Sequence, residues 1–188
     1  KGPVIGPLVL AGVMIDESKL NDLNFAKDSK LLTKKKREEL YKKIVKLAEY
    51  KIIIVEPPEI DAALESQELN LNWLEAHKTA EIINELKPEE AFIDCPSPNT
   101  ERYRLYLKDL LKNKNIELHV GHKMESKNFC VASASIIAKV TRDNIIEEIK
   151  KKYGEIGPGY MSNIITQKFL KENWEKHPEI FRKSWISW

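Results

Sequence analysis

The chain has 188 residues and a mass of 21.8 kDa, enough for one domain with at most a small appendage. Hydrophobic residues at 42% support a core, while 7 Gly, 9 Pro and a net charge of +2 exclude disordered, fibrous and low-complexity classes. No run approaches the roughly 18 apolar residues of a membrane span, the first residues lack the flanks of a secretory signal, and two cysteines, Cys95 and Cys130, predict a reducing, cytoplasmic setting without a disulfide framework.

Residues 6–15 (GPLVLAGVMI) are apolar and β-branched and predict a buried strand. Thr33 is placed to cap a helix reaching about Glu49, with Leu40, Ile44 and Leu47 on one face. Residues 51–55 (KIIIV) predict a short buried strand that Pro57 and Pro58 stop. Leu69, Trp73, Ala76, Ala80 and Ile83 follow helical spacing and predict a helix over 70–86. A strand over 91–94 (AFID) closes in the turn-rich CPSPNT, a helix over 100–112 follows, and residues 116–120 (IELHV) form the next strand. SASIIAKV opens a long helix to about Tyr153, with small and apolar side chains on nearly every face, as burial against a sheet requires. The turn GEIGPGY, a last amphipathic helix over 163–174 and a docked aromatic tail complete the chain. Strands alternating with helices, without repeat or linker, make an α/β domain.

The small net charge conceals a segregation. Residues 27–51 carry ten basic and four acidic side chains, 56–94 two basic and eleven acidic, and 112–153 nine basic and five acidic. Two basic blocks suit a polyanion touching part of the surface; solvated lysine-rich helices are the plainer alternative. Asp94 falls at the carboxyl end of a buried strand, where open α/β sheets bind ligands, although a strand-end Asp also serves as an ordinary cap or turn residue. Glu125 lies just past the next strand, so strands ending side by side would bring both carboxylates to one Mg²⁺ or Mn²⁺; the other reading is a solvated loop glutamate. His122 and Lys123 flank it and could touch phosphate, with His122 also suited to shuttle a proton. Lys30 in KDSKLL has the same choice of roles. Tyr160 follows Gly157-Pro158-Gly159 and could stack on a sugar or anchor its own loop. The His and Cys spacings match no zinc motif, and no Walker, dinucleotide or nucleophile-elbow pattern occurs.

Taken in order, these segments resemble ribonuclease HII, the type 2 ribonuclease H, in its archaeal branch. KGPVIGPLVLAGV is similar to the stretch that follows the family's D-E-A-G-[RK] signature, and KDSKLLTKKKREEL to its D-S-K-x-L segment. FIDCPSPN is similar to the strand-end aspartate, and GHKMESKNFCVASASIIAKVTRD to the H-K-A-D…S-A-A-S-I-I-A-K-V-x-R-D block. YGEIGPGY parallels Y-G-x-x-G-S-G-Y, and FRKSW the R-x-S-W region.

The resemblance implies a ribonuclease H-like α/β fold with a mixed central sheet flanked by helices, a catalytic core over 1–160 and a helical segment over 161–188. It implies hydrolysis of RNA in RNA–DNA hybrids and 5′ of a lone ribonucleotide in duplex DNA, with four carboxylates holding two divalent ions, Mg²⁺ or Mn²⁺. Asp94 matches the third carboxylate, and Glu125 stands where the family usually has Asp. Substrate binding would involve Lys1, Gly2, Pro3, Ser29, Lys30, His122, Lys123, Ser133, Lys139, Arg142, Gly159 and Tyr160, of which Lys1-Gly2 and Tyr160 match the sensor of the ribose–deoxyribose junction. A monomer without membrane attachment is expected, and a sliding-clamp contact through a further C-terminal tail is compatible with it.

The chain opens inside the signature, so the expectation is an N-terminally incomplete polypeptide, inactive alone, whose neighbouring strands lack the central strand and its Asp-Glu pair. Asp16-Glu17, the only later pair after a strand, is predicted exposed at the distal end. Met161-Ser162-Asn163-Ile164 replaces the usual P-S-D-P, and Ala132-Ser133 inverts the usual Ser-Ala order. Glutamate at 125 also occurs in some type 3 relatives. The competing readings are a non-catalytic hybrid-binding protein and another ribonuclease H-like nuclease, such as a junction resolvase.

Overall fold

The computed structural model describes residues 2–26, 33–66 and 69–185. Their contacts divide them into two units, one from Leu10–Ile53 and Asn72–Val140, the other from Lys1–Val9, Ile54–Leu71 and Thr141–Trp188. In the latter, Val4 and Ile5 share a core with Ile180 and Phe181.

The first unit holds two strand pairs. β1 (Leu8–Met14) pairs with β2 (Glu49–Val55), whose β-branched run KIIIV suits a pleated, half-buried surface. A 3-10 segment, Glu17–Ala26, follows β1 and keeps Asp16 and Glu17 exposed, as predicted. α1 (Lys34–Leu47) starts where the Thr33 hydroxyl accepts the Lys36 N–H at 3.3 Å. Leu40 and Ile44 are buried, but Leu47 is 45% exposed, because the helix ends on it and Ala48 is already extended. Leu40 and Ile44 share a core with Leu23, Ala26 and Ala132, Ile136, Ile137 and Val140 of the long helix.

α3 (Leu71–Leu86), β3 (Glu90–Asp94), α4 (Thr100–Leu110) and β4 (Glu117–Gly121) build a second core around Ala76, Ala80, Ile83, Ile93, Tyr103 and Leu107. β3 and β4 are parallel, in register from Glu90 opposite Glu117 to Asp94 opposite Gly121. A parallel pair requires a crossover, and α4, capped by the Asn99 side chain on the Arg102 N–H at 2.9 Å, supplies it. Among the described residues the strands form two two-stranded sheets, and no described strand hydrogen-bonds one pair to the other.

β1 approaches α3 so closely at Gly12 that an added Cβ would lie 2.4 Å from Ile82 Cγ2. Ile82 is buried, so it has little room to yield. Gly12→Ala is therefore expected to destabilise by about 1–3 kcal/mol, the usual cost of overpacking, read as a lower thermal midpoint. An unchanged midpoint would show that α3 shifts freely away from β1.

The second unit contains a helix absent from the sequence reading. Pro57 and Pro58 end β2, but they also begin α2 (Pro57–Glu65), since proline in a helix's first turn forfeits no hydrogen bond. α5 (Phe129–Tyr153) starts four residues before SASIIAKV, and α6 (Ile164–Asn173) is capped by the Asn163 side chain on the N–H groups of Ile165 and Thr166. Val4, Ile5, Ile146, Ile156, Phe169, Leu170, Ile180 and Phe181 form the core, with Ile5 bridged antiparallel to Phe181. The tail is docked by buried polar groups. Arg182, 1% exposed, donates from Nε to the Gly6 carbonyl at 2.9 Å and from Nη2 to that of Pro7 at 2.6 Å. Buried Asp61 accepts from the N–H groups of Lys183 and Ser184 at 2.9 and 3.0 Å and from the Ser184 hydroxyl at 2.6 Å.

Candidate active site

The parallel register ends β3 and β4 side by side, so Asp94 lies opposite Gly121. The Cys95 N–H donates to the Gly121 carbonyl at 2.7 Å and extends the pairing one step past the strand. Beyond Gly121 the backbone turns sharply. Lys123 adopts φ +56°, a left-handed conformation that a side chain other than glycine's takes at a cost. That reversal starts a 3-10 turn over Met124–Ser126 and aims the Met124 N–H at Asp94 Oδ1, 3.0 Å away. Asp94 is exposed, and half-buried Glu125 follows the peptide that Asp94 holds. The two candidate carboxylates thus sit on adjoining, mutually tethered segments.

His122 Nδ1 lies 3.3 Å from the Cys95 carbonyl. A carbonyl can only accept, so Nδ1 carries the hydrogen and Nε2 of the neutral ring is the open acceptor. Asn128 Oδ1 accepts from the N–H groups of Cys130 and Val131 at 2.9 and 3.2 Å and starts α5 directly after the turn. Burial pushes the Cys130 thiol up to about 11, which leaves it a poor nucleophile near neutral pH.

A second cluster lies in the other unit. Tyr160 is 37% exposed and its backbone is bridged antiparallel to Pro3. A Cβ added at Gly2 would come within 3.7 Å of the tyrosine ring, so the two are neighbours. Gly159 holds φ +82° with the Ile5 carbonyl 3.1 Å from where a Cβ would be, so only glycine fits there. The Arg142 guanidinium lies 5.3 Å from the Tyr160 ring centre. Fully buried Thr166 donates to the Ile156 carbonyl at 2.9 Å and accepts from the Gly159 N–H at 3.2 Å, which braces the turn from α6. Sequence reading missed Thr166 and Asn128; a Thr or Asn beside a glycine turn or helix start was their only signal.

The remaining candidates are scattered. Lys123 and Lys139 are exposed, whereas Pro3 and Gly159 are buried and act through their backbone. Ser133, expected from the resemblance to bind substrate, is deeply buried. It is 0% exposed, on the face of α5 that packs with Ala132 and Ile136 into the core, and presents nothing to solvent. Lys1, Ser29 and Lys30 lie outside the described residues.

Among the described residues no group of three or more His, Cys, Asp and Glu is placed to hold a metal. Asp94 and Glu125 nevertheless fit Mg²⁺ or Mn²⁺ in kind, because such ions take one or two carboxylates and complete their shell with water and substrate oxygens. With Asp94 Oδ1 engaged by Met124, Oδ2 is the oxygen suited to a cation.

The sequence pattern of the Ribonuclease HII family matches residues 1–188. A Ribonuclease HII of Methanococcus maripaludis is 46% identical over 197 aligned residues, covering 100% of this chain and 81% of its own. The solved ribonuclease H2 of Pyrococcus horikoshii superposes with a TM-score of 0.89 at 38% identity, over 98% of this chain and 89% of its own. Ribonuclease HII in its complex with PCNA from Archaeoglobus fulgidus gives 0.85 at 39% identity, over 98% and 88%. The fold places the chain in the ribonuclease H-like class. Within it, the chain belongs to the ribonuclease HII family, endonucleases of the type 2 ribonuclease H class that act on RNA–DNA hybrids. No described helix is long and apolar enough to cross a membrane.

Proposed function

We propose that this protein cuts RNA in RNA–DNA hybrids and 5′ of a single ribonucleotide embedded in duplex DNA, leaving 3′-hydroxyl and 5′-phosphate ends, with two Mg²⁺ or Mn²⁺ ions. The observation that carries the reading is the Met124 N–H bond to Asp94, which ties the strand-end carboxylate to the segment bearing Glu125. Asp94 and Glu125 would supply two of the metal ligands. Bound ions would activate the attacking water and stabilise the departing 3′-oxygen. The protein's own groups then position and exchange protons. Asp94 is held in one rotamer by its backbone donor, His122 offers Nε2 as a proton acceptor, and Lys123, exposed on the turn, meets phosphate. The complex of the Archaeoglobus relative supports a sliding clamp as a further partner.

Tyr160 would pack on the deoxyribose beside the ribonucleotide. Tyr160→Ala in the full-length protein is then expected to cost about 1–3 kcal/mol of transition-state binding, the range of nucleotide–aromatic stacking. The loss in kcat/KM should be larger for a duplex with one ribonucleotide than for a long hybrid, where many phosphate contacts compensate. Equal losses on both substrates would reduce Tyr160 to a loop anchor and remove the junction-sensing part of the reading.

A further inference from the structure

We infer that Arg142 is a positioning residue that sets the ring of Tyr160, and through it the preference for a ribose–deoxyribose junction over a continuous hybrid; the inference rests on the substrate reading proposed above. The backbone of the turn is amply fixed. Gly159 accepts from the N–H groups of Val4 and Ile5 at 2.8 and 3.3 Å, and its own N–H is held by Thr166. Those bonds place the peptide, but none of them restrains the Tyr160 side chain, which is more than one-third exposed. A ring free to change rotamer would have to be ordered each time it met a sugar.

The contact that can restrain it comes from α5. Arg142 brings its guanidinium 5.3 Å from the ring centre, and its Nη2 reaches the Pro158 carbonyl at 3.5 Å. It thereby touches both the ring and the peptide two residues before it. A planar, weakly hydrated guanidinium suits an aromatic face in a way a lysine ammonium does not. The Arg142 Nε–H is buried and finds no acceptor among the described residues. Hydrogen bonding alone therefore does not account for where the guanidinium rests, and the buried Nε–H cannot reach a phosphate unless the side chain leaves the ring. α5 is a 25-residue helix, so the clamp stands on a rigid element.

The test uses the full-length protein with Arg142→Ala, Arg142→Lys, Tyr160→Ala and the Arg142→Ala/Tyr160→Ala double variant. Each is assayed on a duplex with one ribonucleotide and on an uninterrupted hybrid. Arg142→Ala should lower kcat/KM about tenfold on the first, mainly through KM, and barely on the second. Arg142→Lys should recover less than half of that loss. The double variant should be no worse than Tyr160→Ala alone, since the arginine acts through the ring. The slope of binding against salt should stay unchanged, whereas loss of a direct phosphate contact would lower it by about one. Additive losses, or that lower slope, would overturn the inference. The substrate reading fails separately, if the unsubstituted protein ignores the single ribonucleotide. In that event ¹³C-tyrosine spectra still decide the clamp: Arg142→Ala should shift and broaden the Tyr160 ring signals and spare Tyr103, and unmoved Tyr160 signals would sink it.

Discussion

Asp94→Asn is expected to lower cleavage of an RNA–DNA hybrid by the full-length protein at least ~10²-fold while leaving the thermal midpoint within about 1 °C, since metal-assisted catalysis supplies several kcal/mol and each 1.36 kcal/mol is tenfold. The substitution is nearly isosteric. Asn keeps the Oδ1 that accepts the Met124 N–H, so the tether between β3 and the following turn survives. What is lost is the negative charge and the second carboxylate oxygen, the features a bridging divalent ion needs. A residue serving only as a turn would show the opposite pattern, with unchanged turnover because its hydrogen bond is intact. Measured single-turnover rates at saturating Mg²⁺, beside a melt of the same sample, separate the two. Unchanged turnover would remove Asp94 from the chemistry.

Arg182→Met is expected to be the most damaging substitution far from the strand ends, at about 3–5 kcal/mol, because it leaves two buried carbonyls without a donor at about 1–3 kcal/mol each. Methionine fills much of the same volume, so the cost is polar. The Gly6 and Pro7 carbonyls lose charge-assisted bonds of 2.9 and 2.6 Å in a place closed to water, and Trp185 loses the guanidinium 5.4 Å from its ring. For a chain of this size roughly 2–4 °C accompanies each kcal/mol, so the midpoint should fall by about 6–20 °C. Arg182→Lys, which can reach one carbonyl at a time, should lose less. A fall of less than about 2 °C for Arg182→Met would mean that apolar packing alone docks the tail.

Local signals in the chain carry local structure. Thr33 and Asn163 mark helix starts because a side-chain oxygen satisfies N–H groups that the helix itself leaves open, and the structure places both as caps. The step from AFID to CPSPNT marks the end of β3, and with it the position of Asp94. Proline is ambiguous, however. Pro57-Pro58 terminates a strand and initiates a helix by the same absence of an N–H, and only the surrounding packing reveals the second role. The burial of Ser133 and Arg182 is not legible locally for a different reason. Whether a polar side chain meets solvent or the interior depends on which elements cover it, and that is settled by residues more than a hundred positions away for Arg182. The hold of Met124 on Asp94 is likewise invisible locally, because it depends on the left-handed turn at Lys123, a residue type with no preference for that conformation.

The docking of Arg182 onto the Gly6 carbonyl spans 176 positions of chain. During synthesis the βαβ segment from β3 to β4 has all its partners within about thirty residues, from Glu90 to Gly121, and can form while translation continues. The core around Ile5 and Phe181 cannot close until its last strand residue has emerged, and closing so long a loop carries the largest entropic toll in the molecule. Val4 and Ile5 thus wait for partners that lie far later in the chain. Through that interval they stay unpaired, and the braced turn that carries Tyr160 matures only with them, because the Gly159 carbonyl accepts from both their N–H groups.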